Sequence, residues 1–193
     1  MKEVKCQWCN KKDNKEIMIC EEKGTDKCNK NGTEKKVRKY YHDSCFIEYQ
    51  KDKQFKEQET KELDELYRYL LNLHNVKVLD ARMMEKIQDL RNGTIKVNNK
   101  KIKRYKEGVP YSLMLSAYKT LKDKLDFILN TMQFESKWNE FSYLFGTMVN
   151  NLNDIELRLR RQEKIEKEIK QKPKNTEVIE LTVTKTNKKK DEL

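Results

Sequence analysis

Cys6 and Cys9 enclose two residues in a Cys-x-x-Cys pair, and His42 and Cys45 repeat that spacing after residues 10–41. Two residues between thiolates is the span of a tight knuckle turn, over which both sulfurs converge on one ion. His42 and Cys45 stand where the pattern turns helical, so they share one face of a first helical turn. The four side chains are expected to bind one structural zinc ion, closed on all sides with no position left for water. A module this small cannot fold on apolar burial alone, so metal binding has to supply its folding energy. Five cysteines, an odd number, argue against a complete disulfide framework. Cys20 and Cys28 stay open: either could replace a ligand or help hold a second ion, although a strand residue facing the core and a loop thiol are the commoner roles.

Residues 1–48 hold all the cysteines, and short strands are expected at 17–19 and 37–41, with turns at Gly24 and Asn31-Gly32. Knuckle, hairpin and then a helix carrying the second ligand pair is the order of a treble-clef finger. Asn10 stands where such knuckles often carry glycine, and asparagine tolerates the left-handed conformation that position needs. On Cys6-Gln7-Trp8-Cys9 and Lys39-Tyr40-Tyr41-His42-Asp43-Ser44-Cys45, the segment resembles LIM-type and treble-clef zinc modules. It most resembles the short ones that open bacteriophage and prophage proteins of low-GC Gram-positive bacteria. The resemblance implies zinc at Cys6, Cys9, His42 and Cys45. It leaves the partner open, since LIM modules mostly bind proteins and other treble clefs bind DNA or RNA.

Residues 49–62 are almost wholly charged or amide and read as an exposed helical connector. From 63 to 172 a helical domain is expected. Leu63, Leu66, Leu70 and Leu73 form one helical face. A second helix fits 80–91, with Met83, Ile87 and Leu90 inward and Asn92-Gly93 as its stop. Residues 94–106 read as a basic β-hairpin. A third helix is expected near 111–132, with the stripe Met114, Ala117, Tyr118, Leu121, Leu125, Ile128 and Met132. The last, near 136–170, carries Trp138, Phe141, Phe145, Met148, Leu152, Ile155 and Leu159 at alternating spacings of three and four, a heptad seam suited to an intramolecular bundle or a homodimer. Gly146 sits inside the seam, where it is expected to let another helix approach. Pro173 ends the helix, and 173–193 read as a flexible charged tail. Within it, 177–184 is strand-like, and Val178-Ile179-Glu180-Leu181-Thr182 is similar to a SUMO-interacting motif. The fold class is therefore mainly α, with a small β-containing zinc module. The segments 105–110 and 141–151 are also similar in layout to the C-terminal region of DnaD-like replication proteins, with Asn151 where that family has Trp; this implies DNA binding during replication initiation.

Charge decides what such a chain can meet. It carries a net charge of +11, with 39% charged and 36% hydrophobic residues, against about 25% and 45–50% in ordinary soluble domains. Acidic partners are favoured, nucleic acid first, with DNA ahead of RNA. The densest patch is Lys96, Lys100, Lys101, Lys103, Arg104 and Lys106, with Tyr105 among them and no acid between. Such a hairpin can track phosphates while an aromatic stacks on a base; a solvated hairpin in a lysine-rich chain is the plainer alternative. Arg158, Arg160 and Arg161 form a smaller cluster that the helix dipole explains. No apolar run follows the N-terminus, so no signal peptide is expected. The terminal Lys-Asp-Glu-Leu is then not an address, and no stretch spans a membrane. A cytoplasmic protein is expected. No phosphate loop, nucleophile elbow or paired-carboxylate motif is present, and His74, near a helix end, reads as packing or capping. These features point to a non-enzymatic, zinc-binding protein that binds nucleic acid or a replication or transcription protein. An adaptor that captures a host protein through the zinc module and the helical seam is the alternative.

Overall fold

The computed structural model describes residues 2–28, 30–97, 100–104 and 106–171. Two units divide the chain, Met1–Leu152 and Asn153–Leu193. In the first, β1 (Glu3–Lys5) pairs antiparallel with β2 (Lys12–Asn14), placing the Cys-x-x-Cys turn between them. A 3-10 turn at Lys15–Ile17 leads into β3 (Ile19–Cys28), which pairs antiparallel with β4 (Glu34–Tyr41). The strand expected at 17–19 therefore begins only at Ile19. Asn14 caps the 3-10 turn by accepting from the Glu16 amide, a local hydrogen bond that competes with strand pairing.

Helix α1 spans Asp43–His74 without interruption. Its middle buries no large side chain, so burial cannot be what makes it helical. Helix-favouring Lys, Glu and Gln predominate there, and i,i+4 pairs support it: Lys56 with Asp52, Arg68 with Asp64, and Gln58 with Glu62. Asn75 ends it in a left-handed conformation, φ 49°. Helix α2 (Ala81–Asn92) is capped by the Asp80 side chain, which accepts from the Arg82 amide, and ends at Gly93 with φ 66°. The hairpin of β5 (Thr94–Val97) and β6 (Lys100–Lys103) follows, then α3 (Tyr111–Thr120), α4 (Lys122–Thr131) and α5 (Lys137–Gln171). Gly108 is required by close approach, because a Cβ there would lie 1.7 Å from the Arg91 carbonyl oxygen. The adjoining Val109 amide caps α2 by donating to the Leu90 carbonyl.

The helical core gathers Leu66 and Leu70 of α1, Met83 and Ile87 of α2, Met114, Ala117 and Tyr118 of α3, Leu125 of α4, and Phe141, Leu144, Met148 and Leu152 of α5. From Phe141 to Leu152 the seam thus serves the interior of this chain. The helix expected over 111–132 divides at Leu121 into α3 and α4, and Met132, placed inward by periodicity, lies exposed past the end of α4. His74 is fully buried and packs against the Phe141 ring at 5.5 Å. Its Nδ1 donates to Glu140 Oε1 at 2.8 Å, and Lys137 holds the other carboxylate oxygen. Burial pushes the imidazole pKa down against the opposing pull of Glu140, so the ring serves packing.

In the second unit, the described residues continue α5 to Gln171. Ile155 is buried and Leu159 half-buried, whereas Leu157, Ile165 and Ile169 are exposed. The tail expected at 173–193, with the strand-like run 177–184 within it, lies outside the described residues. So do Asn98, Asn99 and Tyr105.

A Cβ added at Gly146 would meet nothing within 4 Å, so among the described residues no helix approaches there in the way the sequence implies. The backbone is helical, and glycine costs about 1 kcal/mol relative to alanine in such a position. Gly146→Ala should therefore raise stability by about 0.5–1 kcal/mol, measured as a higher urea midpoint at unchanged slope.

Candidate metal centre

Three local structures bring the four ligands together. The β1–β2 turn is tightened by Cys6 N–H donating to the Lys11 carbonyl (2.9 Å) and Asn10 N–H donating to the Cys6 carbonyl (3.1 Å). Asn10 takes φ 64°, the left-handed state that glycine or asparagine best allows. The turn docks on the end of β4, with the Gln7 amide donating to the Tyr40 carbonyl at 2.9 Å. One residue past β4, His42 stands at the N-cap of α1, and Cys45 lies in the first helical turn. N-cap positions favour Ser, Thr, Asp or Asn because their side chains accept from the helix amides. The His42 side chain makes no such bond and turns to the cysteines instead.

There the Cys6, Cys9 and Cys45 sulfurs and a His42 ring nitrogen all lie within 4.8 Å of one another. His42 Nδ1 is 3.4 Å from Cys9 Sγ and 3.7 Å from Cys45 Sγ. Tetrahedral bonds of about 2.3 Å to sulfur and about 2.0 Å to nitrogen set ligand atoms about 3.5–3.8 Å apart. The donor set therefore fits a four-coordinate metal ion. Cys6 is fully buried and the other three are partly so. Burial pushes the Cys6 thiol up, but backbone hydrogen bonds from Cys9, His42 and Trp8 together outweigh it and bring the pKa to about 6. Amides aimed at a sulfur in this way favour the thiolate, the form that ligates metal. Burial, followed by the neighbouring Cys9 and Cys6, pushes Cys45 up to about 11. A cation at the centre would act in the opposite direction and favour the thiolate.

Asp13, at β2, is a member of the site that no spacing rule disclosed. Its Oδ2 lies 3.5 Å from His42 Nε2, on the ring nitrogen away from the sulfurs. A carboxylate facing that nitrogen favours the tautomer protonated at Nε2, which leaves Nδ1 free to ligate. Around the cluster, Cys6, Met18 and Tyr41 form a small core flanked by Val4, Tyr40, Phe46 and Tyr49. The Tyr41 and Tyr49 rings stack at 4.6 Å. Trp8 Nε1 donates to Glu48 on α1 at 2.8 Å, tying the turn to the helix. Cys20 and Cys28 lie exposed on β3, outside the cluster, so Cys20 does not face the core.

The basic hairpin is less free than its sequence suggests. Lys96 and Lys101 oppose each other across β5 and β6, which would be repulsive by itself. Glu85 of α2 sits between them, at 3.1 Å from Lys96 and 3.8 Å from Lys101, and Asp89 holds Lys101 at 2.9 Å. These two lysines therefore fasten the hairpin to α2. Lys100, Lys103 and Lys106 are exposed and meet no carboxylate among the described residues, and Arg104 is exposed beside them. No described helix is long and apolar enough to cross a membrane.

Two consequences of this geometry can be measured. Cys9→Ser and Cys45→Ser should each abolish binding of the single metal equivalent per chain, whereas Cys20→Ser and Cys28→Ser should retain it, as read by elemental analysis of purified protein. Asp13→Ala should keep the metal but weaken its affinity about 10–100-fold, as read by competition with a chromogenic chelator.

A family model described as SPbeta prophage protein YorH matches residues 6–193. No curated protein and no solved structure matches the chain.

Proposed function

Because the chain belongs to the SPbeta prophage protein YorH family, we propose that it is a phage-encoded, non-enzymatic, zinc-binding protein of the host cytoplasm that binds nucleic acid, DNA ahead of RNA, in replication or transcription. Zinc is the ion we assign to the centre. Three thiolates and one imidazole suit its borderline-soft character, and a closed four-ligand set is a structural rather than a catalytic site. Knuckle turn, hairpin and ligand-bearing helix occur in treble-clef order. In this reading the small module is a treble clef and the ion holds it folded.

The observation that carries the nucleic-acid reading is the division of labour in the hairpin. Lys96 and Lys101 are engaged by Glu85 and Asp89, while Lys100 and Lys103 on β6 and Lys106 beyond it project as exposed cations on one short, anchored segment. A hairpin held in place by two of its lysines presents the other cations with little ordering cost, which suits contact with successive phosphates. Arg104, and Tyr105 within the same run, complete the proposed contact set. A role at replication initiation, as the DnaD-like layout implies, belongs to this reading. The adaptor alternative draws less support, because the seam it would use is buried at Phe141, Met148 and Leu152.

The test is fluorescence anisotropy of zinc-loaded protein with duplex DNA, single-stranded DNA and RNA at two salt concentrations. Affinity should fall steeply with salt. The Lys100→Glu/Lys103→Glu pair, which spares the anchoring Lys101, should lower both affinity and the salt slope, the slope by about 1–2. No binding to any strand at low salt would overturn this reading in favour of the adaptor.

A further inference from the structure

Beside the hairpin, α2, β5 and α5 enclose a cavity of about 620 Å³. Leu90, Ile95, Val149 and the rings of Trp138 and Phe145 give it apolar walls. Arg82, Lys86, Lys96 and Arg104 surround them with cations. Two of these cations are held against the aromatic walls. The Arg82 guanidinium lies 4.9 Å from the Trp138 ring centroid, and Lys86 Nζ lies 5.0 Å from the same centroid and 6.0 Å from that of Phe145. Lys86 Nζ also donates to Ser142 Oγ at 3.4 Å and meets no carboxylate within 4.0 Å among the described residues. Two acids line the cavity as well, Glu85 paired with Lys96 and Lys101 and Asp89 with Lys101 and Thr94, while Arg82 pairs with Asp80 at 3.0 Å. The site therefore offers aromatic surface together with the charge of Lys86, which no carboxylate meets among the described residues.

That combination selects the ligand. An apolar peptide would use the walls but would face the desolvation of Lys86 without return. An acidic peptide would use the cations and leave the rings idle. A nucleotide uses both, with its base against the aromatic and aliphatic walls and its phosphates among the cations. The volume is that of a small-molecule site, and a base inside a duplex could reach it only by leaving its stack. Arg104 at the cavity leads directly into the exposed basic run of the hairpin, Lys103 on one side and Lys106 on the other. We infer that this cavity receives one unpaired base of a single strand whose neighbouring phosphates lie on the hairpin. The inference rests on the nucleic-acid reading above and makes it specific: the preferred ligand is single-stranded.

Trp138 is half-buried and reports directly on the cavity, because the chain has only two tryptophans. The second, Trp8, lies in the metal module. In zinc-loaded Trp8→Phe protein, all tryptophan emission comes from Trp138. Titration with oligothymidylate should quench it, saturating at the concentration where anisotropy saturates, and matched duplex should not. Lys86→Glu and Phe145→Leu should each weaken oligothymidylate binding about tenfold or more, with unchanged zinc content and circular dichroism as the check on folding. If Phe145→Leu unfolds the bundle, Lys86→Glu at the rim decides alone. Oligothymidylate binding seen by anisotropy without Trp138 quenching, and unaffected by Lys86→Glu, would overturn the cavity while leaving nucleic-acid binding by the hairpin intact. Absence of anisotropy binding to any strand would overturn both readings. Quenching by thymidine monophosphate with none by oligothymidylate would overturn the strand and show a free-nucleotide site.

Discussion

The convergence of three cysteines and a histidine at the start of α1 is the constraint on which the N-terminal half depends. Without an ion, three sulfurs crowded with a ring nitrogen within 4.8 Å repel one another as soon as the thiols ionise. The surrounding core is only Cys6, Met18 and Tyr41 with partly covered neighbours. So little apolar burial cannot offset the entropy of ordering two hairpins. Metal ligation removes the repulsion and adds binding free energy that is available only to the folded arrangement. It also defines where α1 begins, because two of the four ligands are its N-cap residue and a residue of its first turn. A 32-residue helix whose middle buries no large side chain is thus held at its two ends, by the ligand cluster at one and by Leu66, Leu70 and His74 at the other.

The site was legible because its chemistry is local and paired. A Cys-x-x-Cys turn and a His-x-x-Cys helix start each declare two ligands by spacing alone, and the strands between them fix how the pairs meet. Asp13 was not legible. Its role comes from the β1–β2 register, which sets it beside the back of the His42 ring, and nothing in its own neighbourhood marks it. The helices were readable where one face carries a strict apolar period, as from Trp138 to Leu152. They were misread where periodicity outran the helix, as at Met132, or where a break is backbone geometry, as at Leu121. Gly146 illustrates a further limit: sequence shows that a side chain is missing but not whether anything fills the space.

Charge was the least legible property, because counting cations in sequence ignores what folds against them. Residues 94–106 contain no acid, yet Glu85 and Asp89 arrive from the preceding helix and neutralise the side of the hairpin that holds Lys96 and Lys101. Those contacts give the hairpin a fixed attachment that a two-stranded ribbon lacks in isolation. The same sequestration leaves Lys86 of α2 without those acids as partners, resting on aromatic rings of α5, while Arg82 beside it pairs with Asp80. The hairpin and the neighbouring cavity are therefore products of one arrangement. Glu85 and Asp89 line the cavity while they anchor the ribbon, and the charge they leave unmatched is that of Lys86, beside the apolar walls formed by Trp138 and Phe145.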